Sequence, residues 1–410
     1  MIISIIGGGP AGIMSAITSK IQNPDCEVIL FEKNNRIGKK LLATGNGRCN
    51  YTNSIMKEER FHSTNEGFYK NILDNFDLND TLEFFEGIGI HPYYEENGKI
   101  FPNSLQSSSI LDTLRYEMNR LQVVVREETN INSIKKKNGQ IIIGDLNGNV
   151  YYTDRLILAM GGCAMPSSGS DGSGYELAKS IGHSLIRPFP GIVQLNIESP
   201  FKNHLNGVRI VSNVKLIGRD GKILRDEFGD LLFTSYGVSG PTVLDISRKA
   251  NEELNSGREV YVSINLLGDI SQDKILNILE TRMANLYYKS IEESFVGLIH
   301  KKAIIPLLKY SNIDKKLQYS DLDYDSLKKL AKSIYDFRFK ITSSQGFENA
   351  QVSCGGIDTK EINEYTLESK KMEGVFFAGE IVDVDGDCGG FNLQWAWSSG
   401  FTAGSNAVKS

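Results

Sequence analysis

The sequence lacks long apolar runs, an excess of basic residues and paired cysteines. No stretch approaches the ~20 apolar residues that span a bilayer, and no basic residue precedes the apolar N-terminus, so neither a membrane span nor a signal peptide is indicated. The formal net charge of −5 disfavours a nucleic-acid partner, which needs a concentrated basic face. We therefore expect a cytoplasmic protein with a small-molecule substrate and with no nucleic-acid or membrane partner.

Cysteine and histidine are too scattered to signal a disulfide framework or a metal site. The five cysteines include no C-x-x-C pair, and an odd number in a long chain is unlike a secreted disulfide scaffold. The five histidines show no metal-ligand spacing. We expect reduced thiols, no bound metal, and two or three domains within the 410 residues.

The N-terminal segment carries the fingerprint of a dinucleotide-binding strand, turn and helix. Residues 2–6 (IISII) predict a buried parallel strand, and G-x-G-x-x-G follows at Gly7, Gly9 and Gly12 before a helical pattern. These glycines permit, in turn, a tight turn, close approach of a pyrophosphate, and close packing of helix on strand. A second strand ends at Glu32, where an acid accepts ribose hydroxyls and favours FAD or NAD.

Three further segments favour FAD over NAD. The basic, glycine-rich residues 33–50 can follow an extended dinucleotide with their cations facing the phosphates, although a solvated loop is the alternative. Residues 123–160 predict a meander of short strands with Asn-Gly turns. Residues 375–378 predict a strand, and residues 393–408 predict a helix whose small side chains allow close approach to the first helix. The start of that helix, near Gly389 and Gly390, suits a flavin ring carbonyl.

Five long motifs resemble the bacterial NAD(P)/FAD-dependent oxidoreductases, a flavoprotein family that includes aminoacetone oxidase and the bile-acid 3-oxo-Δ4 reductases. They lie at residues 7–53, 161–183, 233–247, 350–357 and 378–404, so the resemblance covers nearly the whole chain. It implies an α/β fold in which a Rossmann-type, glutathione-reductase-like FAD-binding domain carries an inserted β-barrel and helical subdomain. The implied boundaries are 1–190 and 355–410 for the FAD-binding domain and 191–354 for the insert, with the barrel at 191–268 and 337–354 and the helices at 269–336.

The resemblance also implies residue roles. The residues that would hold the ADP half are Gly7, Gly9, Pro10, Ala11, Gly12, Glu32 and Lys33. Those lining the phosphate and flavin side would be Lys39, Gly45, Arg48, Cys49 and Asn50. The adenosine would meet Ile131, Ala159 and Gly161, and the ribityl and isoalloxazine groups would meet Gly379, Glu380, Gly390 and Asn392.

The catalytic residue is left unknown by this pattern. Family members often carry a histidine where this chain has Ser235, beside the aromatic Tyr236. Tyr236 is a weak candidate for a proton donor, and a packed or water-bonded tyrosine is the alternative.

We expect an FAD-dependent oxidoreductase that performs NAD(P)H-linked reduction of a small organic substrate such as an enone. An amine oxidase of the aminoacetone-oxidase type and a non-catalytic flavin-binding redox sensor are the alternatives. No second fingerprint follows a strand, so NADH or NADPH would dock transiently, and the glycine-rich residues 169–174 are the candidate place. The oligomeric state is left open.

Overall fold

Short apolar runs rich in β-branched residues form the central strands of this chain. Strands of a parallel sheet are buried on both faces and therefore need such continuous apolar runs. The computed structural model describes residues 1–95 and 97–409. Up to residue 191 the strands are β1 Ile2–Ile6, β2 Glu27–Phe31, β3 Thr52–Asn53, β4 Phe61–His62, β5 Pro92–Tyr94, β6 Lys99–Pro102, β7 Val124–Arg126, β8 Ile131–Lys137, β9 Gln140–Asp145, β10 Val150–Thr153, β11 Arg155–Leu158 and β12 Leu185–Gly191. The helices of this part are α1 Pro10–Gln22, α2 Lys39–Ala43, α3 Lys70–Asn75, α4 Leu78–Gly87, α5 Ser107–Arg120 and α6 Ser173–Ser180.

The remaining elements follow in two groups. The first comprises β13 Leu195–Glu198, α7 Lys202–Leu205, β14 Arg209–Gly218, β15 Ile223–Phe233, β16 Gly237–Ser239, α8 Pro241–Asn255, β17 Val260–Ile264, α9 Gln272–Leu286, α10 Ile291–Ser294, α11 Lys301–Tyr310, α12 Tyr324–Tyr335, β18 Phe337–Ser344 and α13 Gly346–Asn349. The second comprises β19 Val352–Ile357, β20 Val375–Phe377, β21 Asp385–Gly386 and α14 Phe391–Ala407.

A five-stranded, all-parallel sheet forms the centre of the first unit, which comprises Met1–Pro190 and the chain from Ala350 onward. The strand order is β20-β11-β1-β2-β7, so a strand from late in the chain extends the sheet begun by the first residues. The chain returns from the second unit to the first at Ala350, because β19 pairs with β12 of the first unit. That is a few residues before the expected position at 355.

Helices α1 and α14 pack against each other through two glycines four residues apart. A Cβ atom on Gly400 would lie 2.5 Å from the Ala11 carbonyl oxygen, and one on Gly404 would lie 2.6 Å from that of Ser15. The Ser19 hydroxyl donates a hydrogen bond to the Gly404 carbonyl oxygen (3.2 Å). The small residues predicted to allow close approach therefore bring the two helices together.

The predicted meander at residues 123–160 is confirmed only in its middle part. Strands β8, β9 and β10 form an antiparallel sheet, and the β8–β9 turn has positive φ at both Asn138 and Gly139, as a tight hairpin turn requires. The prediction was wrong for the two ends, because β7 and β11 pair in parallel with β2 and β1 instead. An apolar run of three or four residues does not specify which partner it joins.

The second unit, Gly191–Asn349, contains a closed six-stranded barrel and a set of helices. The barrel order is β13-β16-β15-β14-β17-β18, closed by the pairing of β13 with β18. Its core includes Val214, Val260 and Phe337, each fully buried. These observations confirm the predicted combination of a Rossmann-type sheet with an inserted barrel and helices. Within the described residues, no helix is long and apolar enough to cross a membrane.

Candidate functional site

The glycine turn after β1 has the geometry that the fingerprint predicts. Gly7 has a φ of 108°, and its Cβ would lie 2.4 Å from the Ala159 carbonyl oxygen at the end of β11. A Cβ on Gly12 would lie only 1.9 Å from the Gly7 carbonyl oxygen. A Cβ on Gly9 would meet nothing within 4 Å, so Gly9 alone of the three borders open space.

Helix α1 begins at this open space without a side-chain cap. Its N-cap is Gly9, and Pro10 occupies the first turn, where a missing N–H costs nothing. The N–H groups of Ala11 and Gly12 therefore face the turn from the positive end of the helix dipole. This arrangement suits a pyrophosphate anion.

The Glu32 carboxylate lies across the glycine turn at the end of β2. Its Oε2 accepts from the Gly8 N–H (2.9 Å), and its Oε1 accepts from the backbone and side-chain nitrogens of Asn34 (2.8 and 2.7 Å). Glu32 is 8% exposed. Each carboxylate oxygen has a further lone pair, so the group can still accept from a hydroxyl.

The glycine-rich residues 169–174 lie against Lys33 and Asn34, just after β2, a contact that the sequence did not indicate. Lys33 Nζ forms a 2.7 Å ion pair with Asp171 and donates to the Ser173 hydroxyl (3.3 Å). Although burial alone would raise the pKa of Asp171, its hydrogen bonds with Lys33 and Ser173 lower it, so the carboxylate stays charged. Lys39 Nζ donates to Asn34 Oδ1 (3.2 Å) on the same side.

Two buried hydroxyls point into the region where β11 ends. Ala159 is packed against Gly7, and Gly161, with a φ of 73°, adjoins the Ser170 side chain. In the described chain neither the Ser170 hydroxyl nor the Tyr175 hydroxyl has a hydrogen-bond partner, although the two residues are only 6% and 3% exposed. Burial, with Glu380 nearby, raises the pKa of Tyr175 well above its usual value and keeps its proton on.

The Glu380 carboxylate joins four segments of the first unit at the end of β20. Its Oε2 accepts from Lys40 Nζ (2.8 Å) and from the Gly162 N–H (3.3 Å), and its Oε1 accepts from the Ser353 N–H (2.7 Å). The preceding Gly379 has a φ of 78°, and its Cβ would lie 2.8 Å from the Ala11 side chain. The cation paired with Glu380 is Lys40, which the sequence did not single out.

A second uncapped helix start lies at Gly390, the N-cap of α14. Its φ is 101°, and a Cβ there would lie 2.5 Å from the Thr52 carbonyl oxygen and 3.0 Å from Asn50 Oδ1. Asn392 does not face outward, because its amide exchanges hydrogen bonds with the Gly386 N–H (2.9 Å) and carbonyl oxygen (2.7 Å).

The loop at residues 44–50 contains several residues with left-handed backbone. Gly45, Asn46 and Cys49 have φ of 56°, 55° and 59°. The Arg48 guanidinium bonds Glu95 (2.8 Å) and lies 4.4 Å above the Phe101 ring, so any phosphate would have to compete with Glu95. Cys49 is fully buried, and burial raises the pKa of its thiol to about 12.

Two further predicted residues, Ile131 and Tyr236, belong to other segments of the chain. Ile131 starts β8 and is 2% exposed. Tyr236 lies in the second unit between β15 and β16, and its carbonyl oxygen accepts from the Ile197 N–H (3.4 Å).

A histidine that the sequence offered only as a surface or core residue is held in an ion-pair cluster. His62 Nε2 lies 2.9 Å from Asp387 Oδ1, and Arg60 donates to Asp387 Oδ2 (3.2 Å). The Asp387 side chain is 3% exposed. A separation of 325 residues between His62 and Asp387 left no local pattern to reveal the pair.

These features fit a dinucleotide such as FAD. The ends of β1, β2, β11 and β20 all meet at the carboxyl edge of one parallel sheet, where ligands of such sheets bind. The open side of Gly9 leaves space that a side chain would fill, and the partnerless Ser170 and Tyr175 hydroxyls supply polar groups that a bound molecule could satisfy.

Comparison with known proteins gives full-length matches. The family model described as HI0933-like protein Rossmann domain matches residues 1–406. The chain is 38% identical over 410 residues to the 3-dehydro-bile acid delta(4,6)-reductase of Clostridium scindens, covering 99% of each chain. It is 30% identical over 408 residues to the ribosomal RNA dihydrouridine synthase of Escherichia coli, covering 98% of this chain and 97% of that one.

The solved structures extend the likeness of the fold. A chain of E. coli quinol fumarate reductase matches with a TM-score of 0.50 at 15% identity, covering 99% of this chain and 69% of that one. At that identity the likeness concerns the fold alone.

Proposed function

The chain belongs to the HI0933-like Rossmann family and is an FAD-dependent oxidoreductase, and we propose that it reduces a carbon–carbon double bond conjugated to a carbonyl group in a small organic substrate. The observation that carries the proposal is the 38% identity, over the full length, to a reductase whose name specifies a 3-oxo bile acid with double bonds at positions 4 and 6. The electron donor in this proposal is NADH or NADPH, docking transiently.

The proposed cofactor set is the one that the resemblance implied. The α1 N-terminus, through the Ala11 and Gly12 N–H groups, would bind the pyrophosphate, and Glu32 would accept from the ribose hydroxyls. The α14 start at Gly390 would present its positive end to the flavin ring. The full set is Gly7, Gly9, Pro10, Ala11, Gly12, Glu32, Lys33, Lys39, Gly45, Arg48, Cys49, Asn50, Ile131, Ala159, Gly161, Gly379, Glu380, Gly390 and Asn392.

Bound FAD supplies two-electron hydride chemistry between a nicotinamide donor and the substrate. The protein's own part is to hold the reacting groups in place and to exclude side reactions. Lys40 and Glu380 tie α2 to the end of β20, so a rigid ion pair stands at the carboxyl edge of the sheet. The proposed contacts of residues 169–174 are with the adenosine side, because Lys33 and Asn34 hold that segment there.

A second candidate substrate is uridine in ribosomal RNA. The E. coli relative is named for making dihydrouridine, which is also the saturation of a double bond conjugated to a carbonyl. We favour the small enone because the identity is higher with the bile-acid enzyme and the net charge of −5 disfavours a polyanion. Reduction in the cytoplasm is also part of the proposal; within the described residues the cysteines form no disulfide, which is compatible with a reducing compartment.

The test is anaerobic stopped-flow absorbance of the purified holoprotein. NADH or NADPH should bleach the flavin, and a 3-oxo-Δ4 steroid or 2-cyclohexenone should restore its colour. Restoration by a uridine-rich RNA and by neither enone would replace the small-molecule substrate with RNA.

Two further results would contradict the proposal. Rapid peroxide formation with aminoacetone in air, without enone reduction, would make the protein an amine oxidase. Bound flavin without steady-state turnover for any pair of electron donor and acceptor would make it a redox sensor.

A further inference from the structure

His62 lies beside the proposed flavin end of the site, at the start of α14. Strand β4 pairs with β21, and His62 is directly opposite Asp385. The Asp387 N–H donates to the Arg60 carbonyl oxygen (2.9 Å), and Asn392 donates to the Asp387 carbonyl oxygen (3.3 Å). The histidine is therefore fixed to the segment that leads directly into Gly390, the N-cap of α14.

The imidazole is oriented by a buried carboxylate. Asp387 binds Nε2, which fixes the tautomer with its proton on that nitrogen when the ring is neutral. Within the residues described, Nδ1 makes no hydrogen bond, and the ring is 23% exposed. Nδ1 is thus the nitrogen that can meet another molecule.

Arg60 lets His62 change its charge without leaving Asp387 unpaired. A buried carboxylate without a cation is strongly unfavourable, and the guanidinium of Arg60 is charged at every working pH. The other acids of the segment are Asp383, which accepts from the Thr64 N–H and hydroxyl, and the buried Asp385. Arg60 therefore remains paired with Asp387 whichever charge His62 carries.

We propose that His62 is the proton donor of the reduction and that Asp387 is its positioning residue, an inference that rests on the proposed enone reduction. Two electrons and one hydrogen come from NADH or NADPH as hydride and add to the carbon β to the carbonyl. The imidazolium Nδ1–H gives its proton to the α carbon, the double bond becomes single, and the neutral imidazole recovers a proton from solvent. His62 would thus supply the acid that this chain lacks at Ser235, where related proteins often carry a histidine.

The test separates the two half-reactions in His62→Gln. Flavin bleaching by the nicotinamide donor should keep its wild-type rate, because that step needs no proton from His62. Recolouring by 2-cyclohexenone should slow about 100-fold or more, the range for loss of a positioned acid. The wild-type recolouring rate should fall as the pH rises, and this limb should be absent in the variant. Added imidazole should restore part of the rate to His62→Ala.

Control variants distinguish proton donation from structure. His91→Gln removes an exposed histidine and should change neither half-reaction. In Asp387→Asn, nitrogen-15 NMR of the imidazole ring should report loss of the fixed Nε2–H tautomer, with flavin still bound. Equal recolouring rates and pH profiles in wild type and His62→Gln would overturn the inference while leaving the proposed function standing. Failure of the wild type to recolour with any enone would overturn both.

Discussion

Replacing Gly9 and Gly12 separately by alanine should distinguish a glycine needed for a ligand from one needed for the fold. A Cβ on Gly12 would lie 1.9 Å from the Gly7 carbonyl oxygen, well inside the 3.4 Å at which ordinary contact begins. Helix and strand must separate to admit this Cβ. We therefore expect Gly12→Ala to lower the free energy of unfolding by about 1–3 kcal/mol or more, the cost of overpacking a core.

Gly9→Ala should leave the apoprotein almost unchanged. The φ of Gly9 is −83°, which alanine adopts freely, and its Cβ enters open space. A weaker N-cap and a less flexible unfolded chain offset each other, so the change should stay within about 0.5 kcal/mol. If a pyrophosphate occupies that space, the same methyl group should cost about 1–3 kcal/mol of binding, or roughly 5–150-fold in the FAD dissociation constant.

Urea unfolding of the two apoproteins, followed by circular dichroism, measures the first quantity. Titration with FAD, followed by flavin fluorescence, measures the second. Wild-type FAD affinity in Gly9→Ala would refute the proposed position of the pyrophosphate. Equal destabilisation by the two substitutions would refute the conclusion that the space beside Gly9 is open in the apoprotein.

Three further outcomes are expected. Gly400→Ala should lower the unfolding free energy by about 1–3 kcal/mol, whereas Gly87→Ala, in open space at the end of α4, should raise it by up to ~1 kcal/mol; urea unfolding compares them. Cys49, buried with a pKa of about 12, should escape iodoacetamide at pH 8 until the protein unfolds, as mass spectrometry would report. Burial lowers the pKa of His183, so the unfolded chain binds the extra proton and stability should fall as the pH drops below about 6.5; calorimetry should find a smaller fall in His183→Gln.

Local patterns predicted the elements that build the site. The strand, turn and helix around Gly7 to Gly12 are contiguous, and each has a distinct signature. The small residues of α14 also predicted its close approach to α1. Only glycine fits at Gly400, because a Cβ there would lie 2.5 Å from the backbone of α1. Such patterns can be predicted because the residues that determine each element lie within about one helix or strand of one another.

Pairings between distant segments were not predictable in the same way. Lys33 meets Asp171, and His62 meets Asp387, only after the sheet and its connections have formed. Nothing in the residues next to any of these charges indicates its partner. The short run of β7 likewise gave no sign that it would join β2, because three residues carry too little periodicity.

The position of β20 in the sheet has a consequence for how this protein is made. At ~5–20 residues per second, translation of residues 191–349 takes on the order of 8–32 s, during which β11 has no neighbour on one side. An open strand edge of that kind invites pairing with other nascent chains. The barrel can close in that interval, whereas the carboxyl edge of the sheet is finished only when β20 and α14 leave the ribosome. Loading of the flavin is therefore expected only after β20 and α14 have been synthesised, and ribosome-stalled chains that stop before β20 should be colourless.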